Sequence, residues 1–505
     1  MTYFKKYKLV FLSLLGLSIL YFILRLYHLE SLPIFTDEVI YLRWAQIAKN
    51  DAAWRFISLT DGKQPSFIWL TIVSMRLVSD PLIAGRIVSV GAGFLSMIGL
   101  FFLGKELFKN KWVGVVSVGL YVIFPMALVY DRMALYDTLV AMFCIWGLYV
   151  EILLVRYIRL DIALILGFVL GGGMLTKTSA FFTAAFLPFT LLLFDWQAKE
   201  KIRRLVIWGV YVMLAVGIGY FFYSILRLSP YFYIIDQKNH EFVLPLSEWI
   251  KNPFIYFSGN MPAFLAWIVS YLTIPLTFVL LIGIYFGRKY AKEILFILLC
   301  FIIPLSYLAF FGKIAYPRYL LFMATPLLTI IAFAIIKIGQ KIRNRMIFSA
   351  LMIFIIAWPL YSDYLILANF SNAPIPKGEI DQYVNGWPAG GGVKEAIDFF
   401  ENEAKDKKIY VATQGTFGLM PYALELYLGG NRNIQTQGFW PLQDALPPEV
   451  IARSQNMPTY ILFYQPCPQC PTAGIAPVAY PLEKVLQVEK LKGASYLTVY
   501  KVNSE

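Results

Sequence analysis

Long apolar runs recur through the first ~360 residues of this 505-residue chain, and they constrain its fold more than any other feature. Each run is about 20 residues long, enough to cross the hydrocarbon core of a bilayer as a helix. Inside a bilayer every backbone amide and carbonyl must find its partner within the protein, so such runs are committed to helix. At 59% hydrophobic and 15% charged residues, the chain is excluded from the ordinary water-soluble class. The runs read as spans at 9–27, 83–104, 112–130, 138–155, 161–176, 178–195, 206–227, 264–286, 292–311, 318–336 and 346–362. Lys5, Lys6 and Lys8 ahead of the first run would suit a signal peptide, but the run is long and no small-residue cleavage site follows. It reads as a retained first helix.

Basic clusters between the runs set the orientation. Lys105/Lys109/Lys111, Arg156/Arg159, Lys199/Lys201/Arg203/Arg204, Arg288/Lys289/Lys292 and Lys337/Lys341/Arg343/Arg345 are expected in the cytoplasm. They alternate correctly if the shorter run 64–80, which opens near Pro65, is interfacial or re-entrant. That gives about eleven crossings, with twelve or thirteen as the alternative count. Loops 28–82, 131–137, the turn at Lys177, 228–263, 312–317 and the whole tail then face outward. The net charge of +13 reports this topology and contact with anionic membrane lipids, and it points to no nucleic acid. Within the first outer loop, Val39–Lys49 reads as an amphipathic helix lying in the interface, with Tyr41 and Trp44 at headgroup level. The 228–263 loop reads either as a lid or groove wall or as a simple linker.

The chain changes character near residue 363, which divides it into a transmembrane domain (1–362) and an outer domain (363–505). KKIYVATQ, PTYILFYQP and SYLTVYKV have strand character. VKEAIDFFENEAK and TFGLMPYALELYLG have helix character, so the tail reads as a small α/β domain. Gly390-Gly391-Gly392 is no nucleotide loop, because no Gly-Lys-Ser/Thr follows and no strand immediately precedes it. Cys144 and Cys300 lie in apolar runs as packing residues. Cys467 and Cys470 suit a local disulfide better than zinc, since two ligands lack partners.

Ionisable residues collect at the outward ends of the runs. Asp37 and Glu38 follow the first span in FTDE. Adjacent side chains do not share a helix face, so the two carboxylates have different jobs. A capping role for Thr36 or Asp37 is the alternative to chemistry. Arg86, Arg132, Asp137, Lys177 and Arg318 sit within or beside apolar runs. A charge at membrane depth costs roughly 2.5–3.5 kcal/mol and is functional by default. Interfacial snorkelling and an Arg132–Asp137 ion pair would explain one or two of them. The full set, brought to one side with Asp37, suits a lipid-linked phosphate: arginine can grip phosphate bidentately and lysine acts as a mobile point charge.

The ordered set FTDE, DGKQPSFIWL, AGRIVS, DRMALYDT, GGGMLTKTS and YPRYLLFMATP resembles the GT-C membrane glycosyltransferases, closest to the protein-mannosyltransferase-like and aminoarabinose-transferase-like branch. The resemblance covers about 1–360, while the tail matches loosely through YVNGWPAGGGVKEAIDFF. It implies a GT-C fold with interfacial helices in the first outer loop, a polyprenyl-phosphate sugar as donor, and inversion at the anomeric carbon. It makes Asp37 the catalytic member of the acidic pair, with Glu38 orienting it. Lys63 becomes a phosphate contact, although Gln64-Pro65-Ser66 stands where Pro-Pro-Leu is usual. Arg86, Arg132, Lys177 and Arg318 complete the cations, and Asp137, Tyr319 and His240 support them. No cofactor is required. A divalent ion on the acidic pair plus Asp137 is not expected to be essential. The acceptor is left open among protein, lipid and envelope glycan. The alternatives are a lipid-linked oligosaccharide transferase or ligase, and a polysaccharide or lipid transporter.

Overall fold

The apolar runs are helical in the computed structural model, which describes residues 2–442, 445–468, 470–477 and 480–503, with side chains from residue 8 onward. The Lys5 and Lys6 side chains lie outside the described residues. The chain forms two compact units, and they are not consecutive in sequence. The first takes Met1–Tyr27, Ala53–Leu70 and Arg86–Ile375, and the second His28–Ala52, Thr71–Gly85 and Pro376–Glu505. Two pieces of the first outer loop therefore belong with the tail, which a single boundary after residue 362 does not provide.

Among the described residues, seven helices are long and apolar enough to cross a membrane: Lys8–Leu26, Pro81–Phe108, Tyr136–Tyr157, Lys201–Leu228, Arg288–Phe311, Pro317–Lys341 and Arg345–Ala368. An eighth candidate is the pair Phe257–Leu272 and Ile274–Phe286, bent by 100°. The bend falls where Pro275 enters the first turn of the second helix. Proline fits that first turn because it has no amide to donate. Lys111–Val122, Leu160–Met174 and Thr178–Leu193 are apolar but shorter. At 1.5 Å per residue, helices of this length fall well short of the ~30 Å hydrocarbon core. Each of the eleven expected segments thus lies on helix, but seven are single long spans. Run 112–130 is interrupted at Phe124, with a new helix starting at Pro125. The questionable run 64–80 forms a nine-residue helix, Ser66–Ser74, and no span.

The second unit is an α/β domain around a five-stranded sheet in the order β2-β1-β3-β5-β4, where β1 is Ile409–Gln414, β2 Ile434–Phe439, β3 Thr459–Phe463, β4 Leu482–Leu491 and β5 Ser495–Val502. Strands β2, β1 and β3 run parallel, and β5 and β4 close the sheet as an antiparallel hairpin. Strands β1 and β3 are buried along their whole length, as a covered parallel sheet requires. They and β5 are the strands legible in the sequence; β2 and β4 carry too many polar residues to read as strands. The helices Val393–Glu403 and Leu419–Leu428 lie where the apolar spacing places them. Cys467 and Cys470 form a disulfide.

The Thr36–Asn50 helix also belongs to this unit, and it corrects the reading of an interfacial amphipathic helix. Tyr41 and Trp44 are buried in protein, and the Trp44 ring centroid lies 6.3 Å from that of Phe417. Arg43 Nε meets Glu425 Oε2 at 2.9 Å, and Gln46 Nε2 donates to the Leu426 carbonyl at 3.0 Å. The apolar stripe that reads as lipid-facing is covered by the Leu419–Leu428 region instead.

Candidate functional site

The residues that the sequence singles out divide between the two units. In the first, Lys177 follows the Leu160–Met174 helix on extended backbone, at the start of the next apolar helix. Its Nζ donates to Asp137 Oδ1 at 2.7 Å, and Asp137 occupies the first turn of the Tyr136–Tyr157 helix. Arg318 Nε lies 4.0 Å from Asp137 Oδ2. The Lys177 ammonium stands 4.3 Å from the Tyr319 ring centroid, and the Arg318 guanidinium 4.7 Å from that of Tyr316, both in cation–π range. One carboxylate therefore faces two cations, which leaves an excess of positive charge.

Asp137, Lys177, Arg318 and Tyr319 line a cavity of about 140 Å³ with Lys63, Gln64, Thr178, Lys238 and Asn239, while Phe182, Phe242, Leu308 and Phe322 form an apolar wall. Lys63 reaches the cavity because its segment is docked: Gln64 Nε2 donates to Thr178 Oγ1 at 3.0 Å, and Ser66 N to the Leu175 carbonyl at 3.1 Å. The Ile234–Phe242 helix supplies the facing wall, so the 228–263 loop is a groove wall and not a bare linker. Gly62 makes that approach feasible. Its φ is +66°, and a Cβ there would lie 2.6 Å from Lys238 Cβ and 2.8 Å from the Ile234 carbonyl oxygen. Lys238 Nζ pairs with Asp61 at 2.9 Å and Glu241 at 3.0 Å. Partial burial works against the Lys238 ammonium, but these two carboxylates outweigh it and raise its pKa.

Arg86, Arg132 and His240 do not line this cavity. Arg86 is wholly buried on the Pro81–Phe108 helix. Arg132 Nη1 donates to the carbonyls of Leu24, Arg25 and Tyr27 at 3.0, 3.0 and 2.7 Å, at the end of the Thr2–Leu26 helix. Those carbonyls have no intrahelical donor, and Arg132 satisfies them. His240 is exposed, with Nε2 3.6 Å from Asp236. The alternative ion pair Arg132–Asp137 is replaced by two others. Asp137 pairs with Lys177, and the adjacent Asp131 pairs with fully buried Arg25 at 3.2 Å while accepting from the hydroxyls of Tyr121 (3.0 Å) and Tyr21 (3.3 Å).

In the second unit the acidic pair opens the Thr36–Asn50 helix. Glu38 is buried, and its Oε2 accepts the Phe35 amide at 2.9 Å, as the third residue of a capping box does. Asp37 is half-buried in the same first turn, where the helix dipole favours an anionic side chain. The two carboxylates therefore do different work, with Glu38 fixing the backbone that carries Asp37. Among the described residues no three His, Cys, Asp or Glu side chains converge as metal ligands.

Residues 62–223 match the family described as dolichyl-phosphate-mannose-protein mannosyltransferase. The matched stretch contains Lys63, Arg86, Arg132, Asp137 and Lys177. The structure of ArnT from Cupriavidus metallidurans in the apo state is similar to this chain with a TM-score of 0.57 at 12% identity, covering 98% of each chain. The same protein bound to undecaprenyl phosphate matches with a TM-score of 0.57 at 14% identity over the same shares. The chain shares the fold of these ArnT structures. The archaeal oligosaccharyltransferase AglB from Archaeoglobus fulgidus, solved with an inhibitory peptide and a dolichol-phosphate, shares it at a TM-score of 0.52 and 13% identity, over 91% of this chain and 69% of that one. No curated protein sequence matches the chain.

The sequence reading missed Lys238, Asn239 and Asp61. DQKNHEF looks like an ordinary solvated helix turn, and its placement over Gly62 is a tertiary fact. A signal for it existed in Gly62 itself, in the Asp-Gly-Lys stretch just ahead of Pro65, where a glycine between two charged residues suggests close backbone approach.

Proposed function

We propose that this multi-pass membrane protein transfers a monosaccharide from a polyprenyl-phosphate sugar to an acceptor hydroxyl, with inversion at the sugar. The observation that carries this reading is the Lys177–Asp137–Arg318 cluster in an apolar-walled cavity of the membrane unit. That arrangement suits an anionic head on an apolar tail. The similarity to a structure solved with undecaprenyl phosphate supports the same ligand class.

In this mechanism the acceptor oxygen attacks C1 of the sugar, forming the new glycosidic bond. The bond from C1 to the phosphate oxygen breaks, and its electron pair leaves with the polyprenyl phosphate. Lys63, Lys177 and Arg318 stabilise the charge that grows on that phosphate, and preorganised cations of this sort supply a large share of catalysis. Asp37 accepts the acceptor's proton. Asp137 holds Lys177 and Arg318 in place when no phosphate is bound, and Glu38 fixes the backbone under Asp37. No step is assigned to Arg86, Arg132 or His240, which do not line this cavity. The chemistry asks for no cofactor. The reaction is extracytoplasmic, a placement favoured by the Cys467–Cys470 disulfide, since such bonds persist in oxidising compartments.

The test is to incubate the purified chain with a panel of polyprenyl-phosphate monosaccharides and to detect released polyprenyl phosphate. Release from one of them, dependent on an acceptor, is expected. Release only from a diphosphate-linked oligosaccharide would move the reading to an oligosaccharide transferase. Flipping of intact lipid between leaflets without cleavage would make the chain a transporter.

A further inference from the structure

Resting on the reading of Asp37 as the base, we infer that Lys490 is a positioning residue for it, acting through the loop Trp387–Gly390. All of the contacts involved lie within the second unit. Lys490, near the end of β4, donates from Nζ to the Ala389 carbonyl at 2.5 Å and to the Trp387 carbonyl at 3.4 Å. On its other side the same loop grips the residues just ahead of Asp37. The Pro388 carbonyl accepts both the Thr36 amide at 3.1 Å and the Thr36 hydroxyl at 2.7 Å. Ala389 pairs with Phe35 as an antiparallel bridge, and the Phe35 ring stands edge-on to Tyr383 with centroids 4.9 Å apart.

The loop has no slack between these two grips. A Cβ on Gly390 would lie 2.2 Å from the Ile34 carbonyl oxygen, so the loop backbone rests directly on the chain that leads into the helix. A shift of the loop is therefore a shift of Phe35 and Thr36, and Asp37 is the next residue. Glu38 fixes the same turn from within the helix through the Phe35 amide. A lysine suits the outer grip, because its Nζ carries several N–H donors and serves both carbonyls at once. This placement also accounts for the Gly390-Gly391-Gly392 run. It lets a loop pass between the β4–β5 hairpin and the acidic turn, so the C-terminal domain sets the geometry of the base.

The experiment compares Lys490→Met, Lys490→Arg and, as a control in the same hairpin, Lys484→Met, using full-length protein in nanodiscs. Three quantities are read: hydrogen exchange at the Thr36 amide, donor affinity, and the single-turnover release of polyprenyl phosphate. Lys490→Met is expected to speed exchange at Thr36 and to lower turnover by about 10- to 100-fold, the scale of a misplaced reacting group. Its donor affinity should stay within about 2-fold, because the phosphate is held by other residues. Lys490→Arg should restore most of both losses, and Lys484→Met should change neither. Unchanged exchange at Thr36 in Lys490→Met overturns the inference, because the loop then does not depend on the ammonium. Faster exchange with normal turnover overturns it equally, because the acidic turn then needs no such support. Wild-type protein that cleaves no donor overturns the proposed function instead, and the exchange comparison still decides whether Lys490 holds the loop.

Discussion

At the residue scale, single side chains take roles that their types alone do not reveal. Arg132 and Lys177 look alike in the sequence, each a cation among apolar neighbours. Arg132 closes the end of a helix, whereas Lys177 faces a cavity and a carboxylate. The cost of burying charge implies that each is satisfied by polar groups, but which groups depends on tertiary contacts, 40 residues away in sequence for Lys177 and more than a hundred for Arg132. Asp137 and Lys177 were each legible as candidate site residues, and that they pair beside one cavity was not. Gly62 gives a direct test of how the cavity is built. Gly62→Ala asks an L-residue to hold φ near +66° and drives its Cβ into Lys238 and the Ile234 carbonyl. The Ile234–Phe242 wall should be pushed away from Lys63, and donor affinity should fall by about 10-fold, on the scale of the 1–3 kcal/mol that overpacking costs. Fluorescence binding of a labelled polyprenyl phosphate measures it, and unchanged affinity would mean that the wall does not shape the site.

At the element scale, the Thr36–Asn50 helix shows where sequence pattern runs out. An amphipathic stripe with Tyr41 and Trp44 fits a membrane interface and a protein neighbour equally well, because both cover apolar surface. What decides is the Leu419–Leu428 partner nearly four hundred residues later, with Arg43–Glu425 at its edge. Strands β1, β3 and β5 announce themselves through continuous apolar and aromatic residues. Strand β4, rich in Glu, Lys and Gln, does not, and it is the one that carries Lys490. Burial pushes the Lys490 ammonium down to about 7, against about 10.4 for a free lysine. Between those values the unfolded chain holds a proton that the folded chain has released, so this group's contribution to stability rises with pH through that window. Below about pH 7 both states are protonated and the dependence disappears. The melting temperature of the wild type, taken relative to Lys490→Met, is therefore expected to increase from pH 7 to pH 9.5. A difference that stays constant over that range would show that Lys490 titrates as an ordinary exposed lysine.

At the scale of the whole molecule, hydropathy located each helical segment of the membrane unit but overstated how many are single spans. Lengths such as Lys111–Val122 and breaks such as Thr273 depend on where proline and tertiary contacts end a helix, and a window average does not register them. The basic loops still predict an orientation that can be checked. Single cysteines at positions 63, 137 and 177 are expected to react with a membrane-impermeant reagent from outside intact cells, and those at 109, 203 and 341 to stay protected; the reverse pattern would invert the proposed topology. The central claim of the proposed function is a division of labour, in which Lys177 and its neighbouring cations hold the donor phosphate and Asp37 accepts the proton. The most direct measurement determines donor affinity and single-turnover release separately for Asp37→Asn and Lys177→Ala in one nanodisc preparation. Asp37→Asn is predicted to lose about 10²–10⁴-fold in turnover while still binding donor, and Lys177→Ala to lose both affinity and turnover. Near-normal turnover in Asp37→Asn, or loss of donor binding in Asp37→Asn but not in Lys177→Ala, would contradict the account.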